Sequence, residues 1–226
     1  MIGYFKNFNS TIYSLENNAN TAKLVTNILQ RSTFLKEVVN NTAVFYEYRV
    51  KEEDTPEIIA DKLYGDAQRH WIVLLFNKII NPYYDFPMRS GVLDKYIQNK
   101  YNQTLAQSQT TLHHYELEVT KNVLSRGSLV SSDVQTYTVG PYVVNYTTGA
   151  LTARAVPGTI DSSITYTPIV TSLSNGTQIQ YIEKVTAVSN YNYEQTQNEL
   201  RKTIKLIDNK YISQIEQEFM KVMSNA

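Results

Sequence analysis

The chain has 226 residues, with 21 basic and 21 acidic side chains and no cysteine. Zero net charge supplies no overall field for nucleic acid or anionic lipid, and a chain without thiols builds neither disulfides nor thiolate zinc sites. The longest apolar run, Trp71 to Phe76, is six residues, against about 18 for a membrane span. The N-terminus, MIGYFKNFNS, lacks the apolar stretch of a signal peptide. The expected setting is therefore a cytoplasm, or an assembly made in one. Tyrosine occurs 18 times against a single Trp. It offers rigid area with a polar tip, which suits both β-strands and protein interfaces.

Residues 1–20 form an Asn-rich mixed arm. Over 21–40 the pairs Leu24/Val25, Ile28/Leu29, Phe34/Leu35 and Val38/Val39 recur at helical spacing. Phe45, Tyr46, Tyr48 and Val50 then predict a strand. Thr55 is placed to cap a helix that opens on Pro56, where a missing N–H costs nothing. Ile58, Ile59 and Leu63 are expected to face inward with Ala60. Tyr64–Gly65 ends this helix in a left-handed turn, and Asp66 caps the next. That second helix carries Trp71, Leu74 and Leu75 in an almost wholly apolar run, so it is buried by its own fold or by a partner. Asn77 and Asn81–Pro82 close it. Ile59, Leu63, Tyr64, Gly65, Trp71, Leu74 and Leu75 are the expected core of this module.

Tyr83, Tyr84 and Phe86 stand between Pro82 and Pro87 as a rigid aromatic ledge, read here as a protein interface. A further helix is expected over 89–101 on Val92, Leu93, Tyr96 and Ile97. Residues 102–192 hold only four basic and five acidic residues but five of the eight glycines, which predicts strands and turns. Asn175–Gly176 marks a hairpin, and Gly140–Pro141 and Thr148–Gly149 mark further turns. From Tyr193 to Met223 there is neither Gly nor Pro, which predicts one long helix of roughly 45 Å. Its stripe of Leu200, Ile204, Ile207, Tyr211, Ile215 and Phe219 is expected to pack on a partner. The class expected is α+β: an N-terminal arm and helix (1–47), a module with its following helix (48–101), a β-rich insertion (102–190) and a C-terminal helix (191–226).

Catalytic chemistry has little to stand on. No HExxH, GxSxG, P-loop or GxGxxG is present. His113 and His114, if adjacent on a strand, point to opposite faces and do not share an ion. His70 lies one turn from Asp66 as a helix-start contact. Glu52–Glu53 reads as a solvated turn, and Glu116/Glu118 offers carboxylates without a visible cleft. No catalytic residue, metal, cofactor or small-molecule substrate is expected.

The stretch VKEEDTPEIIADKLYGDAQRHWIVLLFN resembles a LysM module, through Val50, Asp54–Thr55, Ile59–Ala60, Tyr64–Gly65, Trp71 and Asn77. That resemblance implies a βααβ fold and peptidoglycan or chitin-oligomer binding. Glu53 stands where LysM modules usually carry Gly, and Pro56 follows the threonine; Glu53 places charge and bulk at the sugar-contact loop. More widely, TNILQR at 26–31, the Tyr48–Asn77 block, NPYYDFP at 81–87 and the ending NELRKTIKLIDNKYISQIEQEFMKVM resemble the baseplate wedge protein 53 family of contractile-tailed phages. The resemblance fades across about 102–190. It implies a structural virion protein of the tail baseplate that holds neighbouring wedges around the central hub in a symmetric assembly, with wedge and hub proteins as partners. A LysM-type wall binder and a cell-wall hydrolase are the competing readings.

Overall fold

The computed structural model describes residues 8–14, 22–27, 44–140, 142–144 and 150–224. The chain is α+β and divides into two compact units, one of residues 1–90 with 198–226 and one of residues 91–197.

The first unit centres on strand β3 (Phe45–Arg49), helix α1 (Pro56–Tyr64), a 3₁₀ turn (Ala67–Arg69) and helix α2 (His70–Phe76). The helix boundaries follow local chemistry. Thr55 accepts from the Ile58 N–H with Pro56 at the first helical position, and Gly65 takes φ of 68° at the C-cap. Asp66 caps the 3₁₀ turn by accepting from the Gln68 N–H. The second strand of this βααβ unit comes from far along the chain. Strand β11 (Thr203–Ile207) runs antiparallel to β3, pairing Tyr48 with Ile204 and Tyr46 with Leu206.

Two asparagines fasten the distant segments. Asn77 Nδ2 donates to the carbonyls of Val73 and Lys205, both at 2.8 Å, while its Oδ1 accepts from the Lys205 N–H at 2.8 Å. The side chain thus acts as a further strand beside β11 and ties it to the end of α2. Asn198 does the same for Met88, accepting its N–H at 2.7 Å and donating to its carbonyl at 2.9 Å. An amide side chain carries both a donor and an acceptor, so one residue satisfies both backbone groups of another.

This arrangement corrects the expected single helix over 193–223. The chain has helix α6 (Asn190–Arg201), then β11, then a 3₁₀ turn at Asn209–Tyr211 and a terminal helix α7 (Ile212–Ser224). Thr203, Ile204 and Ile207 are β-branched, and pairing with β3 buries Ile204, Leu206 and Ile207. Burial outweighs the modest helix propensity of the segment. Asp208 caps the following turn by accepting from the Lys210 N–H. Helix α7 then lays Ile212, Phe219 and Met223 into the core with Trp71, Ile72 and Phe76. The Trp71 and Phe219 rings lie 4.5 Å apart. Arg69 holds α7 from the side, with Nε 2.8 Å from Glu216 Oε1.

Strands β1 (Ser10–Tyr13) and β2 (Lys23–Thr26) make an antiparallel ribbon, exposed throughout. Leu24 and Val25 therefore lie in a strand where a helix was expected, paired with Ile12 and Thr11. The remaining positions of that expected helix, from 28 on, lie outside the described residues. Just before the ribbon Phe8 is buried against Phe219. Helix α3 is the single turn Pro82–Asp85.

The second unit takes in most of helix α4 (Ser90–Tyr101), helix α5 (Leu105–Thr110) and an antiparallel sheet. The α4 expectation holds, with Leu93 and Ile97 buried but Val92 exposed. The sheet runs β5 (Ser128–Val139), β4 (Leu112–Ser125), β10 (Thr177–Ser189) and β8 (Ser163–Thr165), with β9 (Ile169–Ser172) also on β10. A small hairpin pairs β6 (Tyr142–Val144) with β7 (Leu151–Ala153). The hairpin expected at Asn175–Gly176 joins β9 to β10, with Gly176 at φ of 80°. Pro141 and Thr148–Gly149 lie outside the described residues. Register gives the sheet two unlike faces. Tyr115, Leu117, Val119 and Val123 share one face with Ala187, Val185 and Ile179, while Glu116, Glu118 and Asn122 share the other with Thr186, Lys184 and Gln180.

A chain ending at Tyr101 lacks β11 and α7, so circular dichroism is expected to show no cooperative thermal transition; a sharp melt would contradict the split module. In the full chain, Asn77→Ala is expected to cost about 1–3 kcal/mol in urea denaturation, since it strips buried partners from Lys205.

Candidate protein-interaction surface

The residues that a sugar site of the LysM type would use are occupied within the fold. Trp71 is 5 % exposed and Tyr64 3 %, so neither ring presents a face for stacking. Burial pushes the Tyr64 phenol up, and a backbone contact at Ile207 offsets part of that rise. The loop between β3 and α1 is tied to itself through Asp54. Its Oδ2 accepts from Tyr48 OH at 2.7 Å and from the Lys51 N–H at 3.0 Å, and its Oδ1 meets Lys62 Nζ at 2.9 Å. Burial alone would raise the Asp54 pKa, but these three donors hold it below the ordinary carboxylate value. Burial, and then the Asp54 carboxylate, push Tyr48 up to about 12. Glu52 is also engaged, its Oε1 accepting the Ser90 N–H at 2.8 Å at the start of α4.

The rest of the expected module core is placed as follows. Ile59 is fully buried, and Leu63, Leu74 and Leu75 are half-buried. Ile58 is exposed, which corrects its inward placement: Ile59, Ala60 and Tyr64 take the buried side of α1. Gly65 is exposed, and its part is conformational.

The ledge after α2 divides in two. Phe86 is buried in the core of its own unit, which corrects its assignment to an interface. Tyr83 is 84 % exposed, Ile80 78 % and Tyr84 53 %. Their backbone is held firmly. Asn81 Oδ1 accepts from the Tyr83 N–H at 3.1 Å, and Asp85 Oδ2 accepts from the N–H groups of Ile80 at 3.1 Å and Asn81 at 2.8 Å. Pro82 opens the turn and Phe86 anchors its end. Large apolar side chains are thus presented on a pre-ordered backbone, which lowers the entropy lost on binding. Ile80 was absent from the expected ledge because it precedes the Pro-bounded motif.

The expected C-terminal stripe does not form one surface. Ile204, Ile207 and Phe219 are buried in the core, a correction that follows from the break at β11. Tyr211 and Ile215 are half-buried and pack against that core. Leu200 is 68 % exposed on α6.

The histidine pair behaves differently from the strand-alternation argument. Val188 pairs with His114 and Ser189 with Leu112, so His113 is the extra residue of a bulge. The bulge brings His113 Nδ1 to 2.8 Å from His114 Nδ1. His113 stacks on Tyr193 at 4.0 Å. Burial first, and then His114, lower the His113 pKa. Beside them Glu194 is buried and accepts from Lys100 Nζ at 2.6 Å and Tyr101 OH at 2.8 Å. These contacts, with His114 Nε2 3.4 Å from Glu116 Oε1, make the cluster a polar brace between helices α4 and α6 and strand β4. Among the described residues no set of three or more His, Asp or Glu side chains is arranged to hold a metal ion.

Residues 1–127 match the family described as Base plate wedge protein 53. No curated protein matches the chain. The matched segment includes β3, α1, α2 and the Ile80–Phe86 ledge and ends before β11.

The Asp54 network carries a pH signature. Its folded-state pKa is depressed, so its contribution is complete above the ordinary carboxylate value and is lost as pH falls through the folded-state pKa. Asp54→Asn is expected to lower stability by about 1–3 kcal/mol at pH 7 and to make the acid limb of a urea-midpoint profile shallower; an unchanged profile would show that the network does not hold the loop.

Proposed function

The chain belongs to the base plate wedge protein 53 family, and on that premise we propose that it is a non-catalytic clamp that holds neighbouring wedge subunits together around the central hub. Membership places it in the phage tail, in a structural role among other baseplate proteins. The finer reading is that its LysM-like βααβ unit has become a grip on protein. The observation that carries this is the Ile80–Tyr84 ridge: large apolar side chains more than half exposed on a backbone locked by Asn81, Asp85 and the buried Phe86.

Two features favour protein over sugar. Trp71 is consumed by the core beside Phe219, and the β3–α1 loop is closed by the Asp54 network. Leu200 is a second candidate contact. Repeated copies in a symmetric baseplate would multiply modest contacts into tight retention. The balanced charge suits a protein neighbour and gives no support for nucleic acid. Assembly before release would take place in the host cytoplasm.

The paired change Ile80→Ser with Tyr83→Ser is expected to shift stability by no more than about 0.5 kcal/mol, since both side chains are exposed. It is expected to cut co-purification with wedge proteins and incorporation into tails at least tenfold. Incorporation at the unmodified level would exclude the ridge as the contact. Saturable binding of the unmodified chain to cell walls, alongside failure to co-purify with any tail protein, would sink the clamp reading.

A further inference from the structure

We propose that the open edge of β5 is a strand-addition site that takes an extended segment of another baseplate protein, one alternating apolar and polar side chains with a basic residue beside Asp133. The setting rests on the baseplate reading above; the chemistry rests on the edge itself.

Strand β5 is 12 residues long, and every residue from Ser128 to Thr138 is exposed. That is roughly 40 Å of extended backbone. Among the described residues β5 pairs with β4 alone and stands last in the sheet. Its outer N–H and C=O groups form a row that only another strand satisfies along its whole length. Sheets usually blunt such an edge with Lys, Pro or a bulge. β5 has no Lys and no Pro. Its one irregularity is at Val130, next to the turn, where Ser131 pairs with Val123 but Leu129 with Leu124. Ser131 to Val139 is left as a regular open edge. Leu129, Val130, Val134 and Tyr137 are exposed along it.

The charge pattern selects the occupant. Asp133 is the only charged residue of β5. On the occupied side β4 places Lys121 opposite it. Gln135 Nε2 donates to Asp133 at 3.2 Å, and Tyr137 OH donates to Gln135, so the three polar groups line one face of the edge. That face is the apolar one, shared with Leu117 and Val185. A second copy of β5 offers Asp133 no basic residue in any register, and in the in-register parallel pairing it sets a second Asp133 alongside. Like charges on adjacent strands oppose pairing. A strand with a basic residue at that point and apolar residues beside Tyr137 and Val139 meets no such conflict.

The probe is a labelled peptide with the sequence of Leu112–Ser125, which already fits β5 with a lysine beside Asp133. Titrated onto the full chain, it is expected to bind saturably, and Asp133→Lys is expected to weaken binding about fivefold. Changing the peptide lysine to Glu should then restore binding to the Asp133→Lys chain. No saturable binding up to millimolar peptide, or binding indifferent to both charge changes, would overturn the site. In purified tails, carbodiimide is expected to link Asp133 to a lysine of a different protein. Links only to Lys121 of the same chain, or to a second copy, would overturn the choice of occupant. Absence of the chain from tails would instead sink the baseplate reading, and the peptide titration would still decide the edge.

Discussion

The pairing of β3 with β11 is the constraint on which the first unit depends. A two-stranded sheet is marginal by itself, and this one is assembled from opposite ends of the chain. It stands because α1, α2 and α7 bury Ile59, Ile72, Leu206 and Ile207 against one another. Asn77 satisfies the backbone of Lys205 from the helical side. Once β11 is in place, Asp208 starts the turn that delivers α7, and Phe219 meets Trp71. Closure of the strand pair therefore commits the tryptophan to the core. The same event leaves the Ile80–Tyr84 turn on the surface, pinned at Phe86.

This division of labour links the fold to a structural role. Aromatic residues at the centre of a unit supply stability, while those on a short capped turn are the ones proposed for contact. In a sugar-binding module of similar build the ligand would need an open loop and an accessible ring. Here Asp54 draws Tyr48, Lys51 and Lys62 into that loop and closes it with three hydrogen bonds. Arg69, at the far end of α1, holds α7 in place through Glu216. The Ile80–Tyr84 turn is left as an exposed apolar ridge of the first unit.

Legibility followed the range of the interaction. Thr55, Pro56, Gly65, Asp66 and Asn77 were readable because caps act within a few residues, and Asn175–Gly176 because an Asn-Gly pair has its own turn chemistry. The break at Thr203–Ile207 was not, since no Gly or Pro marks it and what imposes it is a strand far earlier in the chain. Three members of the C-terminal stripe were therefore assigned outward when they point inward. The bulge at His113 was hidden for a similar reason, because alternation along a strand says nothing of where its partner loses register. Arg126–Gly127, both at positive φ between β4 and β5, carries a sequence signal in its glycine alone. The two asparagine clamps had no signal at all, since an asparagine near a helix end or within a polar helix looks ordinary until its distant backbone partner is known.

The central claim is that the Ile80–Tyr84 ridge meets another tail protein. A photo-crosslinking amino acid installed in place of Tyr83 in assembling phage tests it most directly. The account predicts adducts joining this chain to a different tail protein in mature tails. Tails that contain the chain but yield no such adduct, or only adducts within the chain, would contradict it.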